Sequence, residues 1–191
     1  DHDYLWRTTL CLPERGRVSI FNRSHYEEVL VTRVHPEFIL GQRIPGVDSL
    51  DMINDHFWSE RMKSIRNYEQ HLALNGTVIM KFFLNVSKDE QKQRFLDRIN
   101  VQGKNWKFSF GDLKERARWD DYQFAYNEAI KHTSQPNSPW FVIPADRKWF
   151  MRYCVTKLIV ERLRMLNLNY PKLPQDELDQ LGEARRMLES E

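Results

Sequence analysis

The chain has 191 residues, 41% hydrophobic and 13% aromatic, which excludes a disordered chain and allows one domain with a core and an appended tail. Lys and Arg number 29 against 27 acidic residues, so nothing pulls the whole chain toward nucleic acid or membrane, and any basic site has to be local. No apolar run approaches about 18 residues, and Cys11 and Cys154, far apart, read as two reduced core thiols of a cytoplasmic protein.

Residues 3–12 read as a short helix ended by Pro13 and a turn at Gly16. Val18-Ser19-Ile20-Phe21 gives a buried strand over 17–22. The chain then turns polar at once, and 23–34 fit a helix starting beside Asn22 and Ser24. Pro36, Gly41, Pro45 and Gly46 mark 36–52 as a loop. Trp58, Met62, Ile65 and Leu72 share one face of a long helix over 53–74, closed by Asn75-Gly76. The apolar run Thr77–Leu84 predicts a strand covered on both faces.

Ser87 caps the next helix, with Glu90 at the capping-box position. Residues 101–113 lack periodicity, and 114–132 return to helix. Trp140–Pro144 is a third strand. Asp146 reads first as the N-cap of a helix that buries Met151, Val155, Leu158, Ile159 and Leu166. A charged helix over 174–190 ends the chain. Alternating strands and helices imply an α/β fold with a parallel sheet joined by right-handed crossovers, whose ligands gather at the carboxyl ends of the strands.

Asn22 and Arg23 fall at such an end. There a guanidinium next to a helix start can grip a polyanion, although it could equally bond loop carbonyls. The segment 94–119 carries Arg94, Arg98, Lys104, Lys107, Lys114, Arg116 and Arg118 against Asp97, Asp112 and Glu115. Trp106 and Phe108 interleave with these cations, as a mobile lid over phosphates and a base would require, although a solvated helix face reads similarly. "GQRIPGVD", 41–48, has glycines at Walker A spacing, but Val47 and Asp48 stand where Lys and Ser/Thr are needed, so it reads as a loop. The histidines show no metal-ligand spacing.

Three separated blocks, "LWRTTLCLPERGRVSIFNRSHYEEVLVTRVHPE", "DRINVQGKNWKFSFGDLKERARWDDYQFAYNEAI" and "WFVIPADRKWFMRYCVTKLIVERL", closely resemble the polyphosphate kinase 2 family over about 1–170. Phe-Asn-Arg-Ser-His-Tyr-Glu-Glu looks most like its class III branch, which phosphorylates both AMP and ADP. The resemblance implies a P-loop kinase-like parallel sheet flanked by helices and a helical lid at 94–119, and 171–191, beyond it, reads as a peripheral C-terminal helix. The resemblance also implies Mg²⁺-dependent phosphoryl transfer between polyphosphate and AMP, ADP or ATP. A homo-oligomer is expected, and the short basic segment, the small net charge and the lack of a long apolar run speak against nucleic acid and membrane as partners.

The resemblance places Asn22-Arg23 at the Walker B position, where other members carry Asp for Asn22. It makes Arg23, Arg94 and Arg98 the catalytic candidates. Asn22, Glu28, Arg33, Lys104, Trp106, Lys107, Asp112 and Arg116 become candidates for binding substrate or nucleotide, with Glu28 offering the negative charge that Asn22 lacks. The chain starts without Met and without the family's Walker A loop, so an N-terminal segment carrying that loop and its metal ligand is expected upstream of Asp1. An ATP-dependent nucleotide kinase and a non-catalytic polyanion-binding fragment are the competing readings.

Overall fold

The computed structural model describes residues 2–191 and divides into two compact units, one reaching Met151 and the other Arg152–Glu191. In chain order the helices are α1 (Trp6–Thr9), α2 (Val31–Val34), α3 (Glu37–Leu40), α4 (Asp55–Leu74), α5 (Lys88–Asn100), α6 (Phe110–Ala117), α7 (Trp119–Thr133), α8 (Lys148–Met165) and α9 (Gln175–Glu189). Short 3₁₀ turns occupy His25–Glu28, Leu50–Met52 and Gln102–Lys107. The strands β1 (Lys81–Asn85) and β2 (Trp140–Pro144) pair in parallel, in register from Lys81 opposite Trp140 to Asn85 opposite Pro144. Parallel neighbours need a long crossover, and α5 to α7 supply it. The fold is α/β, helix-rich, with a small parallel sheet.

The core lies where α4, α7 and the 25–34 segment meet. Trp58, Met62, Ile65 and Glu69 recur on one face of α4, and all four are buried. Ala125 and Ala129, one turn apart on α7, are small enough to let α4 approach closely. Tyr26, Val29, Leu30 and Val34 complete the cluster, with Tyr4, Tyr122, Tyr126 and Trp140 packed against it. The end of α4 is a Schellman motif: Thr77 donates to the Leu72 carbonyl at 3.0 Å and Gly76 to Ala73 at 3.0 Å. Gly76 takes φ of 90°, so Asn75-Gly76 closes the helix as the sequence implied.

Residues 17–22 are not a buried strand. They are solvent-facing, with Val18 79% and Ile20 87% exposed, and among the described residues they pair with no strand. Apolar β-branched residues favour strand geometry, but only a partner's ladder makes a strand. Nor is the 77–84 run covered on both faces: β1 starts at Lys81, Leu84 is 43% exposed and Thr77–Met80 lie outside the ladder.

The expected helix over 23–34 is broken into a 3₁₀ turn capped by Ser24, whose Oγ accepts from Tyr26 N, and the single turn α2. The β-branched Val29, Val31, Thr32 and Val34 lower helix propensity here, and Thr32 Oγ1 bonds the Glu28 carbonyl at 2.6 Å. The loop 36–52 contains α3, entered through Pro36, and the Leu50–Met52 turn. The helix expected over 114–132 is two, α6 and α7, with a corner at Arg118.

Ser87 caps α5 by accepting from Glu90 N at 3.1 Å, but the reciprocal half of the capping box comes from elsewhere. Asp146 Oδ1 accepts from Ser87 N at 2.7 Å, while Glu90 turns to Arg94. The carboxylate expected to cap α8 is thus spent on the start of α5. Its pKa is lowered by the Ser87 N–H. Cys11 is exposed, so it is not the core thiol expected, and Leu166 is 37% exposed rather than buried. No helix among the described residues is long and apolar enough to cross a membrane.

Candidate functional site

Arg23 takes a left-handed backbone, φ of 66°, and its side chain is 81% exposed, pairing only loosely with Glu27 at 3.5 Å. A non-glycine residue there is strained unless its surroundings hold it. The hold comes three residues on. Tyr26 is buried, and its hydroxyl donates to Glu69 Oε1 at 2.8 Å. Lys81 Nζ donates to Glu69 Oε2 at 2.6 Å, to the Tyr26 hydroxyl at 2.9 Å and to the Thr133 carbonyl at 2.9 Å. Trp140 Nε1 donates to Thr133 Oγ1 at 2.9 Å, bringing β2 into the network. The turn after Arg23 is therefore fastened to α4, β1, α7 and β2 together.

Burial alone would raise the Glu69 pKa, but His25, Lys81 and Tyr26 outweigh it and leave the carboxyl lowered. For Lys81 burial prevails, and its ammonium is held below the ordinary lysine value despite Glu69. Burial first, and the Glu69 charge second, push the Tyr26 phenol well up. His25 Nε2 lies 3.6 Å from Glu69 Oε1, and neither ring nitrogen has a hydrogen-bond partner among the described residues.

Glu28, expected to offer free negative charge, accepts from Gln42 Nε2 and lies 3.7 Å from Arg61 Nη1. Arg61 also donates to Gln42 Oε1 at 2.9 Å and sits over the Tyr4 ring. Among the described residues there is no group of three or more His, Cys, Asp or Glu placed to hold a metal ion. With Asn22 neutral and Glu28 compensated by Arg61, these residues do not make a magnesium site by themselves.

Arg33 has its guanidinium 5.0 Å from the Trp58 ring and 5.1 Å from the Phe124 ring. It lines an open cavity of about 620 Å³ with Trp58, Phe124, Asp55, Arg118 and Asp121. Burial draws its pKa down, while Glu128 and Asp55 offset part of that. A smaller groove of about 370 Å³ lies at the carboxyl ends of both strands, lined by Asn85, Ser87, Pro144, Asp146 and Arg147 among others.

On the 94–119 segment the cations divide in two. Arg94 donates to Glu90 at 2.8 Å and to the carbonyls of Ala145 at 2.8 Å and Asp146 at 3.1 Å, tying α5 to the loop after β2. Arg116 donates to the Lys88 carbonyl and to Gln91, both at 2.7 Å, and Arg98 pairs with Asp112 at 3.3 Å. These three brace the segment. Lys104 and Lys107 are exposed beside Trp106, itself 80% exposed, with Lys107 Nζ 4.9 Å from its ring. Arg98, Asp112 and Arg116 are thus brought together around α5 and α6, Arg33 belongs to the larger cavity, which this segment reaches through Arg118, and Arg23 pairs within its own turn with Asn22 exposed beside it.

Sequence reading missed Glu69, Lys81, Trp58, Phe124 and Arg118 as parts of these clusters. Two carried a signal: Lys81 interrupts the apolar run "TVIMKFFL", and Glu69 lies on the apolar stripe of α4. A charge in either place has to be paired.

An α/β protein with a strained arginine at a buried-charge anchor and a cation-rich crossover is the class of molecule these features define. The chain belongs to the polyphosphate kinase 2 family, whose model matches residues 1–171. It is 49% identical over 187 residues to the ADP-polyphosphate phosphotransferase of Rhodopseudomonas palustris, covering 98% of this chain and 64% of that protein. It is 44% identical over 170 residues to the AMP/ADP-polyphosphate phosphotransferase of Meiothermus ruber, covering 89% of this chain and 58% of that one. The crystal structure of polyphosphate kinase 2 from Arthrobacter aurescens TC1 superposes with a TM-score of 0.79 at 39% identity, over 95% of this chain and 60% of that one. The chain therefore spans less than two thirds of the length of these proteins.

Proposed function

We propose that the protein transfers phosphoryl groups between polyphosphate and AMP or ADP, as a class III-like member of its family with P-loop kinase-like character. The observation that carries this reading is Arg23: strained, solvent-facing, and followed by a turn that a buried network fastens. Family membership supports the chemistry, and the AMP/ADP name of the Meiothermus ruber relative supports the acceptor range.

In this reading a terminal phosphate oxygen of the nucleotide attacks the end phosphorus of polyphosphate. The anhydride P–O bond breaks, and the chain leaves one unit shorter. Arg23 binds the equatorial oxygens of the moving group, and Asn22 donates an amide N–H beside it. Lys104 and Lys107 bring positive charge on a lid over 94–119, with Trp106 stacking on the base or shielding the site from water. Arg94, Arg98 and Arg116 act with Asp112 by holding that lid in shape. Arg33, between Trp58 and Phe124, receives the nucleotide. Glu28, bonded to Gln42 and close to Arg61, serves that pair rather than meeting a metal. Mg²⁺, when bound, shields the negative charge of the phosphates. The segment 171–191, which contains α9, takes no part in the chemistry, and the protein works as a homo-oligomer.

A coupled assay with AMP and ADP as acceptors decides between donors. Polyphosphate is expected to support transfer to both, with binding that weakens as salt rises, because the contacts are ionic. Transfer from ATP but not from polyphosphate would identify an ATP-dependent kinase instead. Retained polyphosphate binding without transfer to either acceptor would identify a polyanion-binding module.

A further inference from the structure

His35 joins parts of the chain that sequence separates widely. It ends α2, just before Pro36, with its side chain 15% exposed. Its Nδ1 lies 3.2 Å from Glu37 Oε1 on α3, and its Nε2 lies 2.9 Å from Glu115 Oε2 on α6. The same Glu115 oxygen accepts from the Tyr122 hydroxyl of α7 at 2.6 Å. Next door, Arg118 at the α6–α7 corner donates to the Val34 carbonyl. Phe38 stacks on the imidazole at 5.4 Å.

A neutral imidazole has one N–H and one lone pair. With a carboxylate at each nitrogen, the neutral ring can satisfy only one, and its lone pair faces the other. Only the imidazolium donates to both. We propose that His35 is a proton-operated clasp: protonated, it seats the α6–α7 corner on the α2–α3 corner and so positions the segment that carries the lid cations.

The charged and titratable groups facing it are Glu37 from α3, Glu115 from α6, Tyr122 from α7 through Glu115, and Arg118 from the corner. The Glu115 hydrogen bond is foremost in raising the His35 pKa, with Glu37 adding to it, against burial and the Arg118 charge. Glu115 itself is held ionised by the Tyr122 hydroxyl first and His35 second. A raised histidine pKa means the clasp is fully shut below the ordinary imidazole value and opens as pH rises through the higher folded one. The consequence for catalysis rests on the phosphotransfer reading, whereas the clasp does not.

Hydrogen–deuterium exchange of the full chain tests it, with α6 protection corrected for intrinsic exchange rates from about pH 6 to about pH 9. Wild-type α6 is expected to lose about tenfold in protection across that range, the loss of one charge-assisted hydrogen bond. Glu37→Gln, an exposed change, should move the transition to lower pH. Glu115→Gln should keep protection at high pH, because its amide N–H can donate to the lone pair of a neutral imidazole whose own N–H serves Glu37. His35→Gln should abolish the pH dependence. Constant wild-type protection, or the same pH dependence in His35→Gln, would overturn the clasp. A protein that fails to transfer phosphate but shows this pattern would refute the phosphotransfer reading alone.

Discussion

On the proposed phosphotransfer, replacing Arg23 with glycine is expected to lower transfer from polyphosphate by about 10³-fold or more, while leaving the fold as stable as before or slightly more so. The two effects have separate causes. An arginine on the transferring group stabilises charge that develops only in the transition state, so its loss falls on kcat. Stability moves the other way because glycine relieves a left-handed backbone that costs a non-glycine residue about 1 kcal/mol or more. The pair with Glu27 gives little back, since the Arg23 side chain is 81% exposed. Transfer kinetics measured beside a urea unfolding curve separate the two. Full activity in Arg23→Gly would remove Arg23 from the chemistry, and a parallel fall in the unfolding midpoint would make it a structural residue.

The largest stability effect is expected at Glu69. Glu69→Gln leaves Lys81 charged, 7% exposed and without its carboxylate, which should cost about 3–5 kcal/mol. Adding Lys81→Met removes the stranded charge and should recover most of that loss. Acid denaturation supplies the sign. Glu69 has a folded pKa below its ordinary value, so its contribution is complete above that ordinary value and is lost as pH falls through the lower one. The acid limb of the wild-type stability curve should therefore flatten in Glu69→Gln. Equal stability of wild type and Glu69→Gln would show that the buried pair does not anchor the turn.

The Glu69–Lys81 pair also shows where sequence is legible. A charge inside an apolar run or stripe announces a buried partner, but neither position names the other, 12 residues away. Ends of elements were readable because their chemistry is local: the Ser87 cap, the Asn75-Gly76 stop and the strand Trp140–Pro144 all stand. The strand expected over 17–22 failed because pairing is a property of two segments. The corner at Arg118 was invisible because "KERARWDDY" holds no Gly or Pro, and the chain turns there under tertiary contacts to Val34 and His35. In the site, the cation-rich composition of 94–119 was plain. Which cations brace and which face solvent depends on the Ala145 and Lys88 carbonyls, and no spacing rule reaches those.

The most direct test of the shared grip on phosphates is a crystal structure with a short polyphosphate and AMP bound. The account predicts one phosphate chain contacted by Arg23 and by Lys104 or Lys107, with the nucleotide against Arg33. A chain bound away from Arg23, or held by the 94–119 cations alone, would contradict it.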